Sequence, residues 1–312
     1  MNNKEVYQQI CEQHDIPLFA KHWWLDIICK DWDVAIANNG NKVSGTWAYP
    51  VERKLSMTMS RTPPLTPYLG PTVVFPGDMK KSKYDNFEHE VIDSLLAQLP
   101  AFKVWETAAT PGLKQAGIFR NKSYDVSVRQ TFLIDLQEHE EATMLANMHE
   151  DSRRNITKAE KEISIADEPQ AITELYNFQK ATLDRKEVMI PYSLEEIQSL
   201  YKACKLRGCT ALWVARKEEE IQAILWNMWD KTRSYYLVGA KNPAVKDKRA
   251  MTALIWHAVK HCKNLGKATF DFEGSMIPGV ERFFRTFGTR RELYLVISKN
   301  KSLRWKLVRM LR

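Results

Sequence analysis

Two carboxylates stand two residues apart near the end of this chain, Asp271 and Glu273, on and just beyond the apolar run Ala268-Thr-Phe-Asp-Phe272. In an extended strand that spacing puts both on one face, where one can accept a proton from a nucleophile. The alternative is that Asp271 anchors the loop that follows. Upstream, Ser234-Tyr-Tyr-Leu-Val-Gly239 is aromatic and β-branched and reads as a buried strand. It feeds a polar loop carrying Lys241, Lys246, Lys248 and Arg249. A long helix follows, with Met251, Leu254, Ile255, Ala258, Val259, Cys262 and Leu265 at helical spacing and Gly266 as its stop. A basic loop ahead of a helix N-terminus is an anion site, because free amides and the helix dipole face it. A solvated lysine-rich loop is the alternative. Arg154, Lys158 and Lys161 form a second basic stripe at i, i+4, i+7, open to phosphate or to solvent.

The elements that must position these groups read as two matching series. The first half runs through helices at 4–13 and 22–30 and strands at 32–37, 42–51 and 54–60, with Asn39-Gly40 as a tight turn. The rigid stretch Thr62-Pro-Pro-Leu-Thr-Pro-Tyr-Leu-Gly-Pro71 follows, in which Tyr68 is a candidate to line a binding cleft or to pack in the core. A helix over 83–99, a strand over 102–107, a short helix over 112–116 and a strand over 126–136 complete it, and 138–148 is a linking helix. The second half offers a basic helix at 152–161, a strand at 163–166 and a helix at 171–183. The next helix is opened by the capping pair Ser193 and Glu196. Strands at 210–216, 221–229 and 234–239 come next, then the long helix, the strand at 268–272, a short helix over 280–287 and a strand over 290–298. Domains are expected at 1–140 and 141–288, with 289–312 as the segment that would complete the first.

The chain has 312 residues, 44% hydrophobic and 27% charged, which suits two globular domains rather than a disordered or fibrous chain. Its net charge of +8 favours anionic partners. Five scattered cysteines form no metal-spaced cluster, so no metal is expected and the thiols read as reduced and cytoplasmic. No signal peptide and no membrane-spanning run is read. The tail from Lys299 carries six cations and no acid, with Leu303, Leu307, Met310 and Leu311 on one helical face. It suits either peripheral docking on the inner face of an anionic membrane or plain packing on the domain.

The order of elements is similar to the GNAT acyltransferase fold, an α/β fold with a mixed sheet whose fourth and fifth strands splay apart, here in tandem. Six stretches carry a further resemblance, to the Fem family and the related FemAB-like acyltransferases. They are Arg154–Lys161, Phe178–Thr182 with Arg185, Tyr236-Leu-Val-Gly-Ala240, Leu254-Ile-Trp-His-Ala258, Phe270-Asp-Phe-Glu-Gly274 and Phe283-Phe-Arg-Thr-Phe-Gly288. Pro63–Gly70 and Arg129-Gln-Thr-Phe132 look similar in the first half. The resemblance implies an acyl or aminoacyl transferase acting on an amine-bearing acceptor, a lipid-linked cell-wall or envelope precursor among the family's examples. Its donor would be aminoacyl-tRNA or acyl-CoA, with no tightly bound cofactor.

On that basis Asp271 and Glu273 are the candidate bases, and backbone amides of 234–239 the candidate oxyanion donors. Tyr68, Tyr236, Arg185, Lys241, Lys246, Lys248 and Arg249 are the candidate substrate-binding residues, and Arg154, Lys158 and Lys161 would meet tRNA or phosphate. The family's late motif has Lys where this chain has Phe284, so the neighbouring Arg285 is the stand-in catalytic cation. No heptad run supplies the coiled-coil arm of some members, and no glycine lies between Gly239 and Ala250 to let a pyrophosphate approach the backbone. Two other readings stay open: an acyl-CoA-dependent N-acetyltransferase of a small amine or sugar, and a binding protein that keeps the fold without the chemistry.

Overall fold

A computed structural model describes residues 2–54, 57–247 and 249–300, which form two compact units, Met1–Arg129 with Leu293–Arg312 and Gln130–Glu292. These limits differ from the expected 140/141 and 288/289. The last residues of the strand Asp125–Asp135 pair with Thr269–Asp271, and Arg290 pairs with Asp135, so both segments belong to the second unit.

In the first unit, α1 (Asn3–Gln13) starts at a capping box in which Asn2 and Glu5 exchange bonds, and α2 spans His22–Ile28. Strands β1 (Trp32–Asn39) and β2 (Lys42–Pro50) form a hairpin closed at Asn39↔Lys42, with Gly40 in the left-handed region. The expected three-strand meander does not form. β2 ends at Pro50, which has no N–H to continue a ladder, and pairs on its other side with β5 (Thr72–Val73). The short β3 (Glu52–Lys54) pairs instead with β4 (Met57–Arg61), which runs parallel to β6 (Val104–Ala108). Helix α3 (Tyr84–Gln98) buries Phe87, Val91, Ile92, Leu95 and Leu96 on one face, against a core containing Trp47, Tyr49 and Trp105. Helix α4 (Ala116–Asn121) lies later than the 112–116 expected, because Gly112 takes a positive φ that ends regular structure there.

The second unit takes up the chain within β7 (Asp125–Asp135), followed by α5 (Glu141–Ala146), α6 (Glu150–Ala159), β8 (Ser164–Asp167), α7 (Ile172–Asp184) and α8 (Leu194–Leu206). The Ser193–Glu196 box forms as read: the Glu196 amide donates to Ser193 Oγ at 3.1 Å, and the Ser193 amide to Glu196 Oε2 at 2.6 Å. Strands β9 (Thr210–Lys217), β10 (Glu220–Trp229) and β11 (Arg233–Lys241) form an antiparallel meander, with β8 beside β9. Helix α9 (Arg249–Asn264) ends at Gly266, whose positive φ brings the Lys267 amide back to Cys262 O at 3.1 Å. β12 (Thr269–Asp271), α10 (Pro278–Arg285) and β13 (Arg290–Asn300) follow; the end of β13, Val296–Asn300, pairs with β6. Leu254, Ile255, Ala258, Val259 and Cys262 of α9 are fully buried with Leu225, Phe270 and Phe272. Each large apolar side chain so buried contributes roughly 1.5–3 kcal/mol, so this helix sets the floor beneath β11 and β12. Lys301–Arg312, the greater part of the predicted tail helix, lies outside the described residues.

Candidate active site

β11 and β12 are parallel neighbours for three residues only, Arg233↔Thr269, Ser234↔Phe270 and Tyr235↔Asp271. Beyond that point β11 continues to Lys241 with β10 alone, whereas the Phe272 amide stays on Phe132 O of β7 at 3.0 Å. The chain then turns away through two successive left-handed residues, Glu273 at φ 59° and Gly274 at φ 71°. Gly274 is required twice over: its φ favours glycine, and a Cβ there would collide with Gln130 O. The strands therefore part where the sequence reading expects the splay, between Val238 and the end of β12.

The parting opens a cavity of about 550 Å³. Its walls are the 236–241 stretch of β11, Met251 of α9, Leu183 and Lys186 at the end of α7, and Val280, Phe283 and Phe284 of α10. On β11 the register slips between Trp226↔Val238 and Asn227↔Tyr236, which makes Leu237 the extra residue of a β-bulge. A bulge takes a residue out of the ladder and turns its backbone outward, here in the strand that forms the cavity wall.

Glu273 does not line this cavity, but its carboxylate acts electrostatically on Tyr236, which does. Its Oε1 is shut from solvent and has no hydrogen-bond partner among the described residues. Burial, and then the charge of Asp271, push its carboxyl well above the usual range. Burial raises the Tyr236 phenol as well, and the Glu273 carboxylate beside it adds to that shift. Tyr236 lines the cavity, stacks on Phe272 at 6.2 Å and 22°, and meets Phe284 edge-on at 5.6 Å.

Asp271 is held as an anchor, the alternative its position in the sequence left open. It is fully buried, its Oδ1 accepts from Thr131 Oγ1 and from the Glu273 amide at 2.7 Å, and its Oδ2 accepts from Arg233 Nη1 at 3.0 Å. Burial raises its carboxyl, and Arg233 and the other two donors offset part of that. The one-face arrangement expected of Asp271 and Glu273 fails because the strand ends at Asp271 and Glu273 is already in the turn.

The other candidates separate. Lys241 lines the cavity, and Lys246 is exposed on the loop beyond it. Arg185 is exposed at the end of α7 and reaches that loop through Pro243 O at 3.3 Å. Arg249 is already taken: its guanidinium meets Asp247 at 2.7 Å and Glu162 at 3.1 Å, and those carboxylates hold its charge firmly in place. It therefore ties α9 to the chain after α6 instead of presenting a phosphate fork. Lys248 lies outside the described residues. Arg154 pairs with Asp151 and Glu150 on its own helix, and Lys161 falls after α6 ends, so the three-residue basic stripe reduces to an exposed Lys158 and Lys161.

Arg285 is 58% exposed and paired with Glu281, and it is its neighbour Phe284 that lines the cavity, so the cation expected at 285 does not face it. Tyr68, in the first unit, is core: it is 3% exposed and edge-on to Tyr294 at 5.1 Å. The proline stretch around it is laced to β6 through Leu69, Thr62 and Thr107. Sequence reasoning missed Phe284, Met251 and Leu183 as cavity walls; their helical spacing marks them only as apolar. Among the described residues no helix is long and apolar enough to cross a membrane.

Residues 146–285 match the family model described as Acetyltransferase (GNAT) domain. No curated protein sequence is significantly similar. Among solved structures, FemX superposes with a TM-score of 0.67 at 11% identity, over 98% of each chain. The C-terminal domain of a putative lysylphosphatidylglycerol synthetase from Agrobacterium fabrum gives 0.56 at 13% identity, over 99% of this chain and 94% of that one. A tandem GNAT protein from the clavulanic acid biosynthesis pathway gives 0.50 at 9% identity, over 96% and 94%. The splayed strands, the bulge and the helix beneath them therefore lie in the stretch that matches the acetyltransferase (GNAT) domain, residues 146–285, within a chain whose fold is similar to those of FemX and a tandem GNAT protein.

Proposed function

We propose that this chain is an acyltransferase that moves an aminoacyl or acyl group from an activated anionic donor to an amine. The observation that carries the reading is the parting of β11 and β12 at Tyr235/Asp271, with the Leu237 bulge on one wall and the raised Glu273 carboxyl behind Tyr236, which lines the cavity. The donor carbonyl sits against the bulged backbone, and the acceptor nitrogen attacks its carbon. The carbonyl oxygen becomes an oxyanion held by backbone N–H groups. The nitrogen loses its proton to ionised Glu273, whose raised pKa makes it a stronger base than an ordinary carboxylate. Collapse re-forms the carbonyl and expels the donor's hydroxyl or thiol, which takes up the proton that Glu273 received, so that Glu273 ends ionised again. Lys241 and Lys246 hold the donor's phosphate as point charges.

The names of the structural neighbours FemX and lysylphosphatidylglycerol synthetase favour an aminoacyl donor and an envelope acceptor, a cell-wall precursor or a lipid. The cationic tail from Lys299 is proposed to help hold the protein at the inner membrane face. A second reading, acyl-CoA-dependent N-acetylation of a small amine or sugar, is favoured by the description of the matching domain family. Thermal-shift titration with aminoacyl-tRNA and with acyl-CoAs separates the two. Stabilisation by charged tRNA alone supports the first, and stabilisation by acyl-CoA alone replaces it with the second. Binding without any turnover, unaffected by Glu273→Gln, would make the chain a non-catalytic binder.

A further inference from the structure

Eight large apolar side chains are exposed among the described residues, and four of them sit on two loops beside one cavity. Val188 and Met189, 49% and 87% exposed, follow Lys186, which lines the cavity. Met276 and Ile277, 63% and 58% exposed, precede α10, and Ile277 lines the same cavity. Water-exposed methionine and isoleucine at adjacent loop tips cost free energy, and such a cluster marks a surface that is covered in use.

The surrounding charge says by what. Arg185 and Lys186 lead into the first loop, and both are exposed. Lys241 is on the cavity wall, and Lys246 is exposed on the loop that Arg185 holds through Pro243 O. Against these stand Glu187, exposed, and Asp184, already paired with Lys180 at 2.8 Å. Glu281 of α10 is taken by Arg285 and Arg291. Apolar tips flanked by cations that have no acidic partner among the described residues match the boundary between headgroups and acyl chains of an anionic bilayer, where the tips insert and the cations meet phosphate. A protein partner would more often ask for a satisfied polar rim than for a cationic one.

The geometry points to an interfacial docking surface: Val188–Met189 and Met276–Ile277 insert into an anionic lipid leaflet and set the cavity mouth against the membrane. This surface is distinct from the tail beyond Lys299, and it holds whatever donor the cavity takes.

The test is co-sedimentation of the full chain with phosphatidylcholine vesicles, with and without phosphatidylglycerol. The wild type partitions onto phosphatidylglycerol vesicles, and salt weakens that binding. Met189→Asp with Ile277→Asp lowers the partition coefficient by about tenfold or more, since insertion scales with apolar area. Met189→Trp raises it, because tryptophan favours the interface; this variant keeps the test alive if the double variant fails to fold. Leu206→Asp, 78% exposed at the end of α8 and away from these loops in sequence, leaves it unchanged.

The proposal falls if the double variant sediments like wild type, or if Leu206→Asp loses as much. It also falls if removal of residues 301–312 abolishes binding that the loop variant retains. Absence of vesicle binding, with self-association abolished by the double variant, would assign the patch to a second copy of the chain instead. Vesicle binding does not depend on turnover, so its failure is separate from failure of the transferase reading.

Discussion

Arg233 Nη1 donates to Asp271 Oδ2 at 3.0 Å, and this ion pair joins β11 to β12 at the end of their shared ladder. Asp271 is fully buried and the Arg233 side chain is 19% exposed, so the pair closes the fork from beneath. Just beyond it Tyr236 of β11 lines the cavity, and its ring stacks on Phe272, which follows β12.

The pair makes Asp271 a residue of stability. Asp271→Ala leaves Arg233 half-buried without its main carboxylate, and it should cost roughly 3–5 kcal/mol in a urea titration. Asp271→Asn keeps the shape and costs less. A fully stable Asp271→Asn protein with no turnover would contradict the anchor assignment and return Asp271 to the chemistry.

Glu273 should leave a pH signature. Its folded pKa is raised above the unfolded value, so its stabilising contribution is fully present below the ordinary carboxylate range and fades as pH rises through the folded pKa. Thermal melts of wild type and Glu273→Gln should coincide in acid and separate as pH increases, with the Gln variant the more stable. Curves that stay parallel across the range would refute burial of an ionisable Glu273.

In turnover the same residue acts in the opposite sense. As a base it works only when ionised, so kcat should rise with pH through that raised pKa. Glu273→Gln should lower kcat by ~10²–10⁴-fold and flatten the acidic limb of the profile. An unchanged limb would move the base elsewhere.

Gly239 is tied to Tyr236. A Cβ at Gly239 would collide with the Tyr236 Oη, three residues earlier on the same strand. Gly239→Ala should push the ring into the cavity and destabilise by about 1–3 kcal/mol, the usual cost of overpacking. Tyr236→Ala should relieve most of that strain. A double-mutant cycle with no coupling between the two would disprove the contact.

Arg285→Ala should be nearly silent, within ~0.5 kcal/mol of wild-type stability and with kcat unchanged, because the side chain is exposed and its partner Glu281 retains Arg291. A large loss of turnover would restore it as the stand-in for the family's lysine.

Much of the scaffold was legible along the chain because local physics writes it there. Helical spacing marked α3 and α9, and the Ser193–Glu196 box and Gly266 marked helix ends. Asn39-Gly40 marked a hairpin, and the β-rich run before Gly239 marked the strand that walls the cavity. The tandem series of elements was also readable, because each helix and strand carries its own periodicity. Short segments were not: α4 shifted along the chain and the third strand of the first half left its meander, since turn geometry at Gly112 and Pro50 outweighs propensity over so few residues.

The sequence by itself determined which side chains are charged and which elements carry them, and that put forward Glu273, Lys241 and Tyr236 as candidates. Only the tertiary structure decided which of them are free to act. Arg249 and Arg154 are held by carboxylates that partner choice brings to them, Asp271 by Arg233 from a neighbouring strand, and Arg285 by its orientation on α10. Ion pairing and burial join residues distant in the chain: Glu162 lies far before Arg249 in sequence yet within 3.1 Å of it in space. A linear reading counts charges, whereas folding pairs them, and the candidate site is sought among the described groups that this pairing leaves over.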